Sequence, residues 1–217
     1  MEIIGYIHTN FPEKFGIPRQ SGLVKTIGKI TFLPPYNVEE AFRGITEYSH
    51  LWLLFDFSAN EKKAFSPTVR PPRLGGNKRM GVFATRSPFR PNAIGLSSVK
   101  LLSYELNKDG PVLTVEGADL LDGTPIYDVK PYLSYTDSHP DAKGGFSDEV
   151  RDYTLDVKLR GGVTFPAGES EALTEILAQD PRPSYQEDKE RVYYLSYKNY
   201  EIAFTVDENV LTVIGIK

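Results

Sequence analysis

IGLSSVKLLSYELNKDGPVLTVEGADLLDGTPIYDVK, residues 94–130, sets the fold. Its three runs, 94–106, 111–120 and 125–130, are rich in β-branched and aromatic residues and alternate in polarity. Gly, Pro or Asp separates them, which is the pattern of short, half-buried strands joined by turns. Outward from this stretch, EIIGYIH (2–8), SHLWLLFDF (49–57) and RMGVFAT (79–85) read the same way. Several short strands punctuated so tightly predict a closed or nearly closed β-barrel. A short helix is predicted over 37–43, with Asn37 as its cap. The pattern changes near residue 136, where TDSHPDAKGGFSDE is polar and turn-rich. Beyond it come a strand over 153–159, a helix over 170–179 capped by Ser170, and a meander of RVYYLSY, YEIAFTV and VLTVIGI. The expected architecture is mainly β: an N-terminal β-barrel over 1–136 and a small C-terminal α+β domain over 137–217.

Composition removes several chemistries. The 217 residues include no cysteine, so disulfides, thiolate nucleophiles, Cys-held zinc and iron–sulfur clusters are excluded. His8, His50 and His139 are scattered, and no metal site is expected. The longest strongly apolar run, LWLLF at 51–55, is too short to span a bilayer. MEIIGYIH has no signal-peptide pattern. A soluble cytoplasmic protein is expected. No two glycines are spaced G-x-G, and neither a P-loop nor a G-x-S-x-G elbow is present, which excludes the commonest α/β sites.

Net charge is −4, yet residues 62–104 carry nine basic side chains and no acidic one. Within that segment, VRPPRLGGNKRMGVFATRSPFRPNAIGL (69–96) is dense in proline and glycine. Pro71, Pro72, Pro88 and Pro91 restrict φ, while Gly75 and Gly76 permit close backbone approach. Arg70, Arg73, Lys78, Arg79, Arg86 and Arg90 have no acid nearby in sequence and suit phosphates or carboxylates. The plainer reading is a structured loop whose arginines pair with acids elsewhere in the chain. Further on, Asp122-Gly123 signals a turn, and Asp128, Lys130 and Tyr132 fall on one face of an extended strand. They form either a site or a solvent-facing Lys–Asp pair. KFGIPRQSGLV (14–24) and AQDPRPSY (178–185) are connectors that carry Arg19, Gln20, Arg182 and Tyr185.

Taken together, PTVRPPRLGGNKRMGVFATRSPFRPNAIGLS (67–97), DLLDGTPIYDVKPYL (119–133), EKFGIPRQSGLV (13–24), SHLWLLFDF and AQDPRPSY resemble the TrmO-type S-adenosylmethionine-dependent tRNA methyltransferases. The resemblance implies a non-Rossmann β-barrel that binds S-adenosyl-L-methionine, a smaller C-terminal domain and a homodimer. It implies methylation of the exocyclic amine of threonylcarbamoyladenosine, 3′-adjacent to the anticodon in the tRNA anticodon loop. It places the donor among Pro18, Arg19, Gln20, Ser58, Ala59, Arg86, Leu96, Asp122, Gly123, Thr124 and Pro125. Asp128, Lys130 and Tyr132 stand at the reacting end, and Arg70, Arg73, Arg79, Arg90 and Arg182 face RNA.

Direct transfer from a sulfonium needs alignment and exclusion of water, with a base to help an acylated amine. A non-catalytic RNA- or nucleotide-binding barrel, or a methyltransferase of a small anionic metabolite, remain alternatives. If the roles divide as the motifs imply, Arg86→Ala weakens donor binding in calorimetry more than Arg73→Ala does. Equal effects would mean the division is wrong.

Overall fold

The computed structural model describes residues 1–60, 65–71, 74, 78–182 and 188–217. Pro72, Arg73, Gly75, Gly76 and Tyr185 lie outside the described residues. Six antiparallel strands close the expected barrel. They are β1 (Gly5–His8), β2 (Ile27–Phe32), β3 (His50–Asp56), β6 (Ile94–Asn107), β7 (Gly110–Glu116) and β8 (Thr124–Pro131), in the order β1-β2-β7-β6-β3-β8. A two-stranded ribbon, β4 (Thr68–Val69) with β5 (Met80–Gly81), sits in the β3–β6 connection.

Alternation explains the wall. Leu51, Leu53 and Phe55 point inward from β3 and meet Ile7, Ile30, Val99, Leu113, Val115 and Ile126 in one core. His50, Trp52 and Leu54 alternate with them on the outer face. β1 closes the barrel by pairing Gly5 with Phe32 on one side and with Ile126 on the other.

The sequence reading omits β2, and its Gly28 shows why. A side chain there would approach Ile7 Cδ1 to 3.0 Å, so the inward position is a glycine and the apolar alternation is interrupted. Two other expectations are corrected. The strand expected over 79–85 is the two-residue β5 followed by a 3₁₀ turn, Val82–Ala84, whose Val82 is buried. The helix expected over 37–43 is a single 3₁₀ turn, Glu39–Phe42, and Asn37 donates to the Asp109 carbonyl rather than capping it.

After a one-turn helix, α1 (Ser134–Asp137), the chain builds a second sheet from β9 (Asp156–Leu159), β10 (Tyr193–Tyr197), β11 (Tyr200–Asp207) and β12 (Val210–Ile216). Its order is β10-β11-β12-β9, with β9 parallel to β12. Helix α2 (Ser170–Ala178) covers this sheet with Leu173, Ile176 and Leu177, and Glu169, not Ser170, holds its N-cap position. The α+β expectation is met. Phe11 and Val24, from the β1–β2 connection, are buried in the same core. Phe11 lies edge-on to Tyr197 with ring centres 5.7 Å apart. That connection therefore stitches the barrel to the second sheet, with Lys198 N donating to the Asn10 carbonyl and Lys25 paired to Glu171 at 2.7 Å.

The registers Ile7↔Thr124, Asp56↔Ile94 and Ile27↔Glu116 put three connections, 9–26, 57–93 and 117–123, at one mouth of the barrel. Among the described residues no helix is long and apolar enough to cross a membrane.

A Cβ at Gly5 would lie 2.2 Å from the Thr31 carbonyl oxygen, a backbone atom that cannot move aside without opening the β1–β2 pair. Gly5→Ala should therefore lower stability by about 1–3 kcal/mol. At Gly81 a Cβ meets open space, so Gly81→Ala serves as the control. Urea unfolding midpoints measure both, and equal midpoints would remove this account of closure.

Candidate active site

An open groove of about 2580 Å³ runs across the mouth. The described residues lining it include seven arginines and no lysine, against two acids, Asp56 and Asp148. Of the expected donor residues, Arg19, Gln20 and Arg86 meet here from two different connections. Arg86 donates to Gln20 Oε1, and the Gln20 amide donates to the Arg19 carbonyl at 2.5 Å. Arg19 in turn donates to the carbonyls of Asp180 (2.9 Å) and Arg182 (3.2 Å) beyond α2. Pro18 lines a smaller cavity of about 310 Å³ beside the groove. Ala59 is tied to the β1–β2 connection by Lys14 Nζ, which donates to its carbonyl at 2.5 Å, and the neighbouring Ser58 is exposed.

The turn Asp122-Gly123-Thr124-Pro125 belongs to the same mouth but does not line the groove. Asp122 accepts from Thr9 N at 3.0 Å, Gly123 N donates to the Ile7 carbonyl, and the Thr124 hydroxyl is spent on the Leu121 carbonyl at 2.7 Å. Gly123 has φ +72°, which explains the glycine.

The expected RNA-facing residues divide by role. Arg70 is exposed on the groove. Arg79 donates to Thr68 Oγ1 at 2.8 Å, bracing the β4–β5 ribbon. Arg90 donates to the carbonyls of Thr85 (2.7 Å) and Val82 (3.2 Å), which fixes its own loop. Arg182 forms a two-pronged pair with Asp180, Nε to Oδ1 at 2.8 Å and Nη2 to Oδ2 at 3.0 Å. Arg73 lies outside the described residues.

Asp128, Lys130 and Tyr132 lie on the outer wall. Lys130 Nζ is 2.8 Å from Asp128 Oδ2, and the Tyr132 ring lies 5.4 Å from that of Trp52. A β-bulge at Tyr127 shifts the register between Leu54 and Phe55, turning Asp128 outward beside Leu54 although Ile126, two residues before it, points into the core. Neighbouring strands then form rows across the wall. Ile94, Asp56 and Tyr127 border the groove, and Leu96, Leu54 and Asp128 make the next row. Ser98, Trp52 and Lys130 make the row after that. Leu96, expected at the donor and 56% exposed, is thus in line with Asp128. The trio runs away from the groove's edge rather than into it.

Three groups went unnoticed in the sequence. Tyr127 lines the groove, and its phenol is pushed above its ordinary value by desolvation and then by the neighbouring Asp56 carboxylate. It remains an O–H donor at neutral pH. Asp56 could be found only as the polar end of SHLWLLFDF. Asp119 sits behind the mouth, accepting from the buried Ser97 hydroxyl at 2.6 Å. Burial raises its pKa, against the hydrogen bond from Ser97 and the charge of Arg86. Its only sequence signal is its place at the head of DLLDGTP.

The Asp180–Arg182 pair is nearly closed to solvent, with side-chain exposures of 8% and 10%. Burial pushes the Asp180 carboxyl up, but the hydrogen bonds and charge of Arg182, with the Tyr153 hydroxyl, outweigh it and hold it below its ordinary value. A depressed carboxylate stabilises the fold above its unfolded pKa of about 3.9 and loses that contribution as pH falls further. Arg182→Ala should therefore cost about 3 kcal/mol at neutral pH, toward the low end for a partner lost from a buried pair at a groove's rim. The gap between wild type and variant in urea unfolding should shrink below about pH 4. A gap that stays constant down to acid pH would contradict this role.

The chain is similar to known proteins along most of its length. Residues 6–138 match the family model described as the tRNA-methyltransferase O N-terminal domain, and residues 163–217 match that of the TrmO C-terminal domain. The chain is 40% identical over 232 residues to the tRNA (adenine(37)-N6)-methyltransferase of Escherichia coli (strain K12), covering 100% of this chain and 97% of that protein. It is 43% identical over 172 residues to the protein of the same description from Eikenella corrodens, covering 78% of this chain and 97% of the other. The crystal structure of TrmO from Pseudomonas aeruginosa superposes with a TM-score of 0.79 at 33% identity, covering 99% of this chain and 97% of that one. With both family models matched and a relative 40% identical along its whole length, this chain is a member of the TrmO family.

Proposed function

We propose that this chain is an S-adenosylmethionine-dependent tRNA methyltransferase that methylates the exocyclic amine of adenosine 37, with threonylcarbamoyladenosine as the substrate form. The observation that carries the site is the meeting of Arg86 with Gln20 across two connections, at the end of a wall that leads through Leu96 to Asp128.

The residues present fit the methyl donor. Arg19 and Arg86 suit its carboxylate, Asp56 suits its ammonium, and Ile94 and Leu96 offer apolar surface for its nucleoside. When bound, S-adenosylmethionine supplies an electrophilic methyl group on a sulfonium. The chain's own task is to orient the amine and keep water away. Asp128 is the proposed proton acceptor, with Lys130 balancing its charge at 2.8 Å. Tyr132, beside Trp52, shapes the reacting end. Tyr127, held protonated, donates a hydrogen bond at the groove's edge. Arg70 and the loop that Arg79 and Arg90 brace meet tRNA phosphates.

In this reading residues 1–136 hold the donor, residues 137–217 support its loops, and the protein works in the cytoplasm as a homodimer. Exposed Leu102 and Leu106, farther along β6 from the groove, supply apolar surface for a second copy.

Incubation of threonylcarbamoylated tRNA with methyl-labelled donor should put label in nucleoside 37. Asp128→Asn should lower kcat by about 100-fold or more while leaving donor affinity, measured by calorimetry, near wild type. No donor binding at millimolar concentration would remove the enzyme reading in favour of a binding barrel. Label on a small anionic metabolite but not on tRNA would redirect the activity.

A further inference from the structure

Of the four phenylalanines that line the arginine-rich groove among the described residues, three are exposed where a folded domain gains nothing by placing them. Phe83 is 72% exposed, Phe65 58% and Phe89 45%. Phe65 and Phe83 are stacked, with centroids 6.5 Å apart and planes 29° from parallel. The Arg90 guanidinium lies 5.6 Å from the Phe83 ring centre.

Phe83 and Phe89 are carried on a segment held by hydrogen bonds. Phe83 is the centre of the Val82–Ala84 turn, whose Val82 is buried and donates its N–H to the Pro67 carbonyl at 2.9 Å. Arg90 closes the same turn through the carbonyls of Val82 and Thr85. Phe89 N donates to Ser87 Oγ at 3.2 Å between Pro88 and Pro91. Restricting the loop before binding removes ordering cost at the moment of binding.

The chemistry selects the occupant. Seven arginines against two aspartates among the described lining residues call for a polyanion, and flat exposed rings between them call for aromatic partners in that polyanion. Paired bases hide their faces in a duplex, whereas unpaired bases of a loop offer them. Arginines that bond neutral carbonyls keep their full charge toward the groove.

We propose that Phe83, with Phe65 and Phe89, is a stacking platform for unpaired nucleobases flanking the reacting adenosine in the RNA loop. This rests on the tRNA reading above and assigns those rings to the RNA rather than to the methyl donor. Phosphates are met by the surrounding arginines, and bases by the rings.

The test uses the full-length protein and an anticodon stem-loop carrying 2-aminopurine beside the target adenosine. Wild type should quench its fluorescence on binding. Phe83→Leu, which keeps apolar bulk but loses the aromatic face, should bind the stem-loop roughly 5- to 100-fold more weakly and lose the quench. Phe83→Trp should restore both. The slope of log affinity against log salt should be the same in wild type and Phe83→Leu, because no phosphate contact is lost, whereas Arg70→Ala should lower it. Calorimetry with S-adenosylmethionine should give the same affinity for wild type and Phe83→Leu.

Wild-type stem-loop binding with full quench in Phe83→Leu would overturn the platform while leaving the tRNA reading intact. Failure of wild type to bind any stem-loop would overturn the tRNA reading itself. A change of sedimentation from dimer to monomer in Phe83→Leu would assign the rings to contact between copies of this chain and would also overturn the platform.

Discussion

The structure depends on the closure of the barrel through β1. All four of its residues pair with β2, three of them, Gly5, Tyr6 and Ile7, pair with β8 as well, and Gly5 leaves no room for a side chain against the Thr31 carbonyl. Closure removes the open sheet edges that would otherwise seek partners. It also sends the connections after β1, β3 and β7 out at one end. Every group assigned to the groove is carried on those connections, on the strand ends beside them, or on the segments that follow α1 and α2.

Long connections need anchors, and here the anchors are guanidinium groups bonded to carbonyl oxygens. Arg90 holds the turn that bears Phe83, and Arg19 reaches the carbonyls at 180 and 182. A carbonyl accepts a hydrogen bond without cancelling the charge of the donor. The loop is thereby ordered while the groove stays positive. Arg182 is the contrast: its charge is met by Asp180, so it contributes fixation more than field. The plainer expectation has these arginines pairing with acids elsewhere in the chain; Arg79, Arg86 and Arg90 instead bond a hydroxyl, an amide oxygen and backbone carbonyls, which orders the loop without cancelling their charge.

The second sheet has a share in the same constraint. Phe11 and Val24 leave the barrel to enter its core, and burying a side chain such as Phe11 is worth about 1.5–3 kcal/mol. The connection between those two residues carries Arg19 and Gln20, so the geometry of the candidate donor site is secured partly by packing around α2 and β10. Methyl transfer asks for alignment more than for bond-making groups. A site suspended between two cores suits that demand.

The sequence by itself determined the mainly β architecture, because period-2 alternation in β3, β6, β7 and β8 is a local property of the chain. It also separated the basic stretch from an acidic remainder, since charge is additive along the chain. Where local pattern and geometry disagree, only the tertiary structure decided. Gly28 hides β2, because close approach of Ile7 demands a glycine where alternation would show an apolar residue. The bulge at Tyr127 turns Asp128 outward and adds Tyr127 to the groove, and no spacing rule marks it. Arg86 meets Gln20 across 66 residues, and Asp119 meets Ser97 across 22, through contacts that exist only once the barrel has closed. Side-chain faces along a strand follow from the backbone period; the meeting of loops follows from the register of strands far apart in sequence.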